Sequence, residues 1–227
     1  MRLYQGNYSR LTVFSDDPVA MALRWQQEGA RYLHVVDLDG ADMGRPGNFD
    51  VVVNIARSVG MMVEVGGGIR SIAAIEALLG NSIARVILGT AAVENPGMVR
   101  EACDRWGDRV VVGIDARDGL VAVRGWKQTT KVSALKLATE MVGLGVRRFI
   151  YTDITRDGTL TEPNYQAISE FVAIARAPVI ASGGVSSIDQ LEPLLATGVE
   201  GVIVGRALYT GAFDLRKAIE LTEGWRA

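Results

Sequence analysis

The chain has little of the residue types on which several protein classes depend. Its 227 residues include one cysteine, Cys103, and one histidine, His34. One cysteine excludes an internal disulfide and is typical of a protein from a reducing cytoplasm. Because Cys103 falls in a helix predicted over residues 98–106, we interpret it as an inert, half-buried thiol. His34 lies early in a predicted strand, away from the expected mouth, so we interpret it as a core or bottom-face residue and exclude histidine-based nucleophilic triads.

Other shortages exclude membranes, nucleic acids, metals and nucleotide cofactors. No apolar run reaches the roughly 18 residues of a membrane span, and the amino terminus lacks the apolar core of a signal peptide. The formal net charge of −2 offers no basic surface for nucleic acid. No spacing of histidine, cysteine and carboxylate residues indicates a metal site, and no stretch resembles the GxGxxG dinucleotide motif. We therefore expect a cytoplasmic monomer without cofactor or metal, whose partner is a small molecule.

What the chain does contain is a regular alternation of strand and helix patterns. A length of 227 residues, with 48% hydrophobic and 22% charged residues, suits one globular α/β barrel domain over residues 1–227. Apolar runs predict strands at residues 32–37, 61–65, 85–88, 109–114, 149–152, 178–181 and 201–204, with helices between them. This alternation predicts a parallel sheet with helices outside it, either open and doubly wound or closed into a (β/α)8 barrel. Residues 38–48 predict a glycine-rich loop, and residues 119–126 a small excursion before a helix at 133–144.

An internal repeat favours the barrel. Gly67 and Gly183, Gly89 and Gly205, and Asp37 and Asp153 are each separated by 116 positions. Two equal half-barrels can close on each other, so the chain is predicted to be a (β/α)8 TIM barrel with two-fold internal symmetry. Only seven core strands can be counted, and the first-half counterpart of Asp115 falls just before Met1. We therefore expect the first strand, ending in a carboxylate, upstream of Met1.

The repeated glycine turns predict two anion pockets. In a barrel the carboxyl ends of the strands carry the site, and glycine there allows close approach of a ligand to backbone N–H groups. One predicted pocket combines Gly67 and Gly68 with Gly89 and Thr90, beside Arg70; the other combines Gly183 and Gly184 with Gly205 and Arg206. Two opposed pockets predict a substrate with a phosphate at each end. The alternative is that the glycines only shape strand–helix turns, which is a weaker account of four matched turns.

Candidate catalytic groups lie between these pockets. Asp115 ends a predicted strand, and a carboxylate aimed into a barrel mouth can act as general acid or base. Thr152 and Asp157 follow the next strand, whereas Asp37 and Asp153 are interpreted as structural or substrate-positioning. Arg124 and Trp126 lie in the excursion after Asp115, where they could cover a planar ring or a phosphate. The alternative for Trp126 is packing on the barrel rim.

Motifs over nearly the whole chain resemble one enzyme family. It is the phosphoribosylformimino-5-aminoimidazole carboxamide ribotide isomerase family of histidine biosynthesis. The motifs are residues 2–6 (RLYQG), 34–41 (HVVDLDGA), 64–70 (EVGGGIR), 89–92 (GTAA), 125–126 (GW), 157–160 (DGTL), 182–185 (SGGV) and 204–207 (VGRA). The resemblance implies a cofactor-free barrel that converts an aminoaldose to an aminoketose by an Amadori rearrangement, on a substrate with two phosphoribosyl ends.

The resemblance also implies roles for individual residues. In the family, a general acid protonates the ribose ring oxygen to give a Schiff base, and a general base then removes the proton on carbon 2. Asp115 matches the carboxylate at the end of strand 5 and resembles the acid, and Thr152 and Asp157 match assisting positions. Arg2 and Trp126 match substrate-contacting positions. The family's other carboxylate ends a strand that precedes the RLYQG stretch, so we expect the 227-residue chain alone to be a poor isomerase.

Three other functions remain open from the sequence. A bifunctional isomerase would also act on phosphoribosylanthranilate, the analogue in tryptophan biosynthesis, and Arg124 beside Trp126 leaves this open. The related cyclase of the same pathway is disfavoured because no surface for its glutaminase partner is recognisable. A non-catalytic phosphate-binding remnant is the alternative of a different class.

Overall fold

The computed structural model describes residues 2–4 and 7–225 and the side chains of residues 12–224. The strands are β1 (Arg2–Tyr4), β2 (Asn7–Thr12), β3 (Tyr32–Val36), β4 (Met62–Gly66), β5 (Arg85–Leu88), β6 (Val110–Arg117), β7 (Leu120–Val123), β8 (Gln128–Ser133), β9 (Phe149–Asp153), β10 (Val179–Ser182) and β11 (Gly201–Ile203). The helices are α1 (Pro18–Gln27), α2 (Leu38–Met43), α3 (Phe49–Ser58), α4 (Ile72–Leu79), α5 (Thr90–Glu94), α6 (Pro96–Trp106), α7 (Ala134–Gly143), α8 (Tyr165–Ala175), α9 (Leu191–Ala196), α10 (Arg206–Tyr209) and α11 (Leu215–Trp225).

Seven parallel strands form a nearly closed barrel. Their hydrogen-bonded order is β11, β10, β9, β6, β5, β4, β3, so β3 and β11 are the two ends of the sheet. Strands β1 and β2 pair antiparallel in a separate two-stranded sheet. The barrel prediction is confirmed, including the seven core strands that the sequence patterns give.

Apolar residues fill both faces of the barrel wall. On the outer face, strand residues such as Val86 and Phe149 pack against helix residues such as Ile75 in one large core. Inside the barrel, a smaller group is formed by Ile87, Val111, Ile150 and Ile180. Full burial of such a side chain contributes about 1.5–3 kcal/mol, which explains why the strands appear as nearly continuous apolar runs in the sequence.

Local capping starts the helices where the sequence predicts. The Asp17 carboxylate accepts a hydrogen bond from the Ala20 N–H (2.9 Å), and Pro18 opens α1. Asn95 caps α6 in the same way, ahead of Pro96. Both caps satisfy backbone donors that have no partner within the helix.

One local prediction was wrong, and the structure adds detail to two others. Residues 38–48 were predicted as a loop but contain α2, because Asp37 caps its first turn and left-handed Gly44 (φ 74°) ends it. The excursion at 119–126 is the first strand of an antiparallel hairpin, β7 and β8, which extends from β6. The turns at Gly89 and Gly205 lead directly into the short helices α5 and α10.

Candidate active site

A large cavity lies inside the barrel and opens at the carboxyl ends of the strands. It has a volume of about 1490 Å³. The predicted site residues that line it are Gly67, Gly68, Arg70, Gly89, Thr90, Asp115, Arg124, Trp126, Thr152, Asp157, Gly183, Gly184, Gly205 and Arg206. The side chain of Arg2 lies outside the described side chains. The structure therefore brings together residues that are up to 139 positions apart, from Gly67 to Arg206.

Asp115 is the carboxyl group between the two halves of this cavity. It lies beside Thr152 in the β6–β9 register, and its Oδ2 accepts a hydrogen bond from the Trp126 indole N–H (2.8 Å). Burial raises the pKa of Asp115, hydrogen bonds from Trp126 and Thr152 partly oppose that effect, and the negative charge of Asp157 raises the pKa further. The net effect is a raised pKa. A carboxyl in this environment keeps its proton to higher pH and is suited to general acid catalysis.

The tip of the β7–β8 hairpin is held against the barrel mouth by polar contacts. Its residues Arg124, Gly125 and Trp126 all adopt left-handed backbone conformations, with φ of 56°, 63° and 67°. The Arg124 N–H donates to the Thr90 hydroxyl (2.8 Å). Lys127 pairs with Asp42 on α2. Left-handed conformations outside glycine are costly and concentrate at functional sites, so the tip is a strained segment that its contacts hold in place.

Glu94 links two arginines that flank the first glycine pocket. Its carboxylate accepts a hydrogen bond from Arg124 Nε (2.9 Å), and its other oxygen lies 3.7 Å from Arg70 Nη1. No sequence pattern points to Glu94, because its partners come from separate parts of the chain. The arrangement places positive charge beside Gly89 and Thr90.

Two of the glycine turns are explained by backbone packing. A Cβ on Gly67 would lie 2.2 Å from the Asp37 carbonyl oxygen, and one on Gly183 would lie 2.8 Å from that of Asp153. Both glycines also have positive φ, 110° and 95°. Glycine is therefore required here by the preceding strand's loop, whereas the sequence suggested ligand approach.

The second turns leave more space toward the cavity. A Cβ on Gly89 would meet only the Gly113 carbonyl oxygen, at 3.8 Å. In the other half, Arg206 donates to the Gly158 carbonyl (2.5 Å) and so attaches its turn to the loop that carries Asp157. The backbone at Gly89 is thus open to a ligand.

Two buried aspartates hold the loops beneath the pockets. Asp37 accepts four hydrogen bonds from three residues, Gly40, Gly47 and Asn48. Asp153 accepts from Thr155 and, at 2.8 Å, from the Asn164 side chain. Asn48 and Asn164 are again 116 positions apart, so the repeat extends to these paired side chains, which the sequence analysis did not single out.

His34 lines the same cavity as Asp115, not a separate core. Its Nδ1 lies 3.0 Å from Glu64 Oε1, and its charge acts on the carboxyl of Asp115. The inward-facing side chains of neighbouring strands meet in one barrel interior, and the position of His34 away from the mouth stays a prediction.

Metal sites and membrane-spanning helices are both absent from the part of the chain that the structure describes. Over residues 2–4 and 7–225, no group of three or more histidine, cysteine, aspartate or glutamate side chains is arranged to hold a metal ion. None of the described helices is both long and apolar enough to cross a membrane.

Comparison with known proteins places this geometry in one family. The histidine biosynthesis protein family matches residues 1–214. A protein of Dehalococcoides mccartyi strain CBDB1 is 56% identical over 220 residues, which cover 97% of this chain and 90% of that protein. A protein of Roseiflexus castenholzii is 52% identical, covering 96% and 92%, and one of Thermoanaerobacter pseudethanolicus is 50% identical, covering 98% and 94%. All three are named 1-(5-phosphoribosyl)-5-((5-phosphoribosylamino)methylideneamino) imidazole-4-carboxamide isomerase. The chain belongs to the histidine biosynthesis protein family.

Proposed function

We propose that this protein is an aldose–ketose isomerase of histidine biosynthesis that acts on the compound named for its relatives. That compound carries two 5-phosphoribosyl groups. The observation that carries the proposal is the position of Asp115, a carboxyl of raised pKa, in a cavity between two matched glycine pockets. A substrate with a phosphate at each end fits a site with an anion pocket on either side of one acid.

In this proposal Asp115 is the general acid. Its proton goes to the ribose ring oxygen, the bond from that oxygen to carbon 1 breaks, and a Schiff base forms. Thr152 and Trp126 hold the carboxyl in place through their hydrogen bonds. Asp157 assists by its negative charge, which favours the protonated form of Asp115.

The phosphates are proposed to bind at opposite sides of the mouth. One pocket consists of Gly67, Gly68, Gly89 and Thr90. There the phosphate would accept hydrogen bonds from backbone N–H groups and from the guanidinium groups of Arg70 and Arg124. The other consists of Gly183, Gly184, Gly205 and Arg206. Arginine is suited to this task because its planar donors match phosphate oxygens. Trp126 would contact the substrate from the hairpin tip, and Arg2 from the amino-terminal segment.

Conversion of the aminoaldose to the aminoketose by the purified chain tests the proposal. We expect slow but measurable turnover by the 227-residue wild-type chain, and a further decrease in kcat of about 10²–10⁴-fold for Asp115→Asn, because general acid catalysis contributes that much. Asp104→Asn, on the exposed side of α6, is the matched control and should retain activity. Absence of product from the wild-type chain would contradict the proposal.

A parallel assay with phosphoribosylanthranilate decides whether the enzyme has one substrate or two. The guanidinium of Arg124 is already hydrogen-bonded to Glu94, and on this ground we propose the single-substrate enzyme. Comparable kcat/KM on both substrates would replace it with the bifunctional one.

We extend the proposal to a single-domain, cytoplasmic monomer. Cys103 is a free, buried thiol, and burial raises its pKa to about 11, which makes it unreactive. Such a cysteine suits a reducing compartment. Sedimentation at micromolar concentration measures the oligomeric state, and a dimer would contradict this extension.

A further inference from the structure

One carboxylate joins the tip of the β7–β8 hairpin to the first glycine pocket. The Oε1 atom of Glu94 accepts a hydrogen bond from Arg124 Nε at 2.9 Å, and its Oε2 atom lies 3.7 Å from Arg70 Nη1. We call these three residues the arginine bridge. Glu94 ends α5, Arg124 lies at the hairpin tip, and Arg70 precedes α4. Three separate segments of the chain are therefore held together by one carboxylate.

The two arginines of the bridge face the cavity, and the carboxylate lies behind them. Among the described residues, Arg70 and Arg124 line the cavity that contains Asp115, whereas Glu94 is not part of that lining. A guanidinium carries five N–H donors on a planar fork. Because Glu94 occupies Nε of Arg124 and lies beside one amino group of Arg70, it leaves the other donors of both arginines to a ligand in the cavity.

The bridge lies next to the contact that reaches the proposed acid. Trp126 follows Arg124 by two residues and donates its indole N–H to Asp115 Oδ2 at 2.8 Å. Helix α5 holds Arg124 twice, because Thr90 accepts from its backbone N–H (2.8 Å) and Glu94 accepts from its side chain. The three tip residues all have positive φ, which is costly outside glycine. The position of the Trp126 indole therefore depends on the contacts that hold the tip.

The exposure of the bridge limits what it contributes to the fold. The side chains of Arg124 and Glu94 are 57% and 35% exposed. Exposed ion pairs of this kind change an equilibrium by about fivefold at most, so the bridge adds little to the stability of the whole domain. A factor of that size is sufficient to shift the position of a strained loop tip. Because Lys127 also pairs with Asp42 on α2, loss of Glu94 should loosen the tip without detaching it.

The bridge belongs to one half of the barrel only. In the internal repeat, the positions that correspond to Glu94 and Arg70 are occupied by Thr210 and Ser186. The second pocket therefore cannot form the same bridge, and its own arginine, Arg206, donates instead to the Gly158 carbonyl. The carboxylate is thus found on the side of the mouth that the hairpin tip contacts, which links its role to the tip.

We propose that Glu94 is a positioning residue of the isomerase. It orients Arg70 and Arg124 toward one phosphate of the substrate, and through the hairpin tip it keeps the Trp126 indole on Asp115. This rests on the proposed function. Glu94 itself contacts neither the substrate nor the reacting atoms, so its effect passes through the residues that do.

The first test follows the Trp126 indole by NMR and does not depend on turnover. The chain has four tryptophans, so ¹⁵N-tryptophan labelling gives four indole signals, and Trp126→Phe identifies the relevant one. In Glu94→Gln the amide can accept from only one of the two arginines. We therefore expect the Trp126 N–H to exchange with solvent about two- to fivefold faster than in the wild-type protein. Unchanged exchange in folded Glu94→Gln would overturn the inference.

The second test uses inorganic phosphate as the probe and reads the backbone amide signal of Gly89, which reports the first pocket alone. Glu94→Gln removes a negative charge beside this pocket, so an effect of charge alone would tighten phosphate binding. A positioning role has the opposite sign, and we expect phosphate to bind about two- to fivefold more weakly to the variant. Equal or tighter binding would count against the inference.

The third test asks whether Glu94 acts through Arg124. In an Arg124→Ala background, Glu94→Gln should have no further effect on the exchange of the Trp126 indole, because residues of one network are not additive. A full additional effect would show another route and contradict the inference. Glu101→Gln is the matched control, since it removes a comparably exposed partner of Arg105 on α6. Equal effects of the control and of Glu94→Gln would indicate a general loss of stability and would also contradict it.

The outcomes separate this inference from the proposed function. No product from the wild-type chain, or no response of Gly89 to phosphate in that chain, contradicts the proposed function. Turnover and a Gly89 response in the wild-type chain, together with unchanged Trp126 exchange in Glu94→Gln, contradict only the role of Glu94. Faster indole exchange and weaker phosphate binding in Glu94→Gln, with neither change in Glu101→Gln, support it.

Discussion

The proton affinity of Asp115 is set by opposing contacts, and Trp126 provides one of them. Burial raises the pKa of this carboxyl, while the indole N–H donated at 2.8 Å stabilises the charged form and lowers it. Removal of the indole donor therefore leaves burial and the charge of Asp157 less opposed. The hairpin tip thus influences the acid chemically as well as covering it.

Trp126→Phe tests this balance. Phenylalanine keeps the aromatic ring and removes the donor, so the pKa of Asp115 should rise. Because the acid works in its protonated form, the alkaline limb of kcat/KM should move to higher pH. The measurement is the pH profile of Trp126→Phe beside that of Trp106→Phe, which alters the end of α6. An unchanged alkaline limb would mean that the indole does not influence the acid.

At the residue scale, the sequence predicts those functional side chains whose position depends only on the strand that carries them. Asp115 was found because it follows four apolar residues at a strand end. Glu94 and the contact between His34 and Glu64 were not found, because the partners lie on other strands or on the hairpin. Single-sequence patterns give the direction of a side chain but not the identity of the residue opposite it.

At the scale of elements, Asp37 joins β3, α2 and α3. Its carboxylate accepts from Gly40 in α2 and from Gly47 and Asn48 before α3. Burial alone raises the pKa of Asp37, but these donors outweigh it and the pKa is lowered overall. The segment of residues 37–48, against which Gly67 and Gly68 pack, is therefore held by one ionised group.

Asp37→Asn should destabilise the fold by about 1–3 kcal/mol at neutral pH, because an amide nitrogen would replace an oxygen that accepts N–H groups. A lowered folded-state pKa stabilises the fold above the unfolded pKa of about 3.9, and this stabilisation is lost as pH falls through the folded value. The difference from wild type in urea unfolding should hence shrink below about pH 4. Asp50→Asn, exposed on α3, is the control. A difference that is constant with pH would show that the charge of Asp37 is unimportant.

Elements were predictable where apolar periodicity defines them. The seven parallel strands and the capped helices α1 and α6 follow from apolar runs and from Asp–Pro or Asn–Pro starts. Helix α2 was missed because its glycines indicate a loop, while the cap from Asp37 and the close approach of Gly67 depend on tertiary contacts. The hairpin of β7 and β8 was missed because its strands pair only with each other and with the end of β6.

For the whole molecule, the two ends of the sheet distinguish one side of the barrel from the other. Strand β3 pairs only with β4, and β11 only with β10, within the described residues. The side chains of Tyr32 and Met62 on this side are 52% and 46% exposed. On the opposite side, β9 is buried throughout, and β6 is buried or half-buried up to Ala116.

Hydrogen exchange should reproduce this asymmetry. Amides of β3 and β11 have a neighbouring strand on one side only, so they should exchange faster than those of β6 and β9. Mass spectrometry of peptic peptides measures the rates, and β6 is the internal control. Equal protection of β3 and β9 would show that something covers the open edge in solution.

The repeat of 116 residues separates positions that are the same in both halves of the barrel from positions that differ. Identical residues occupy the supporting positions of both halves: Asp37 and Asp153, Asn48 and Asn164, Gly67 and Gly183, Ser71 and Ser187. Positions that line the proposed chemistry differ, since Val36, Ala41 and Thr90 correspond to Thr152, Asp157 and Arg206. Packing therefore demands the same residues at the supporting positions of both halves, whereas the positions that line the proposed chemistry are different in each half and give the barrel mouth two unlike sides.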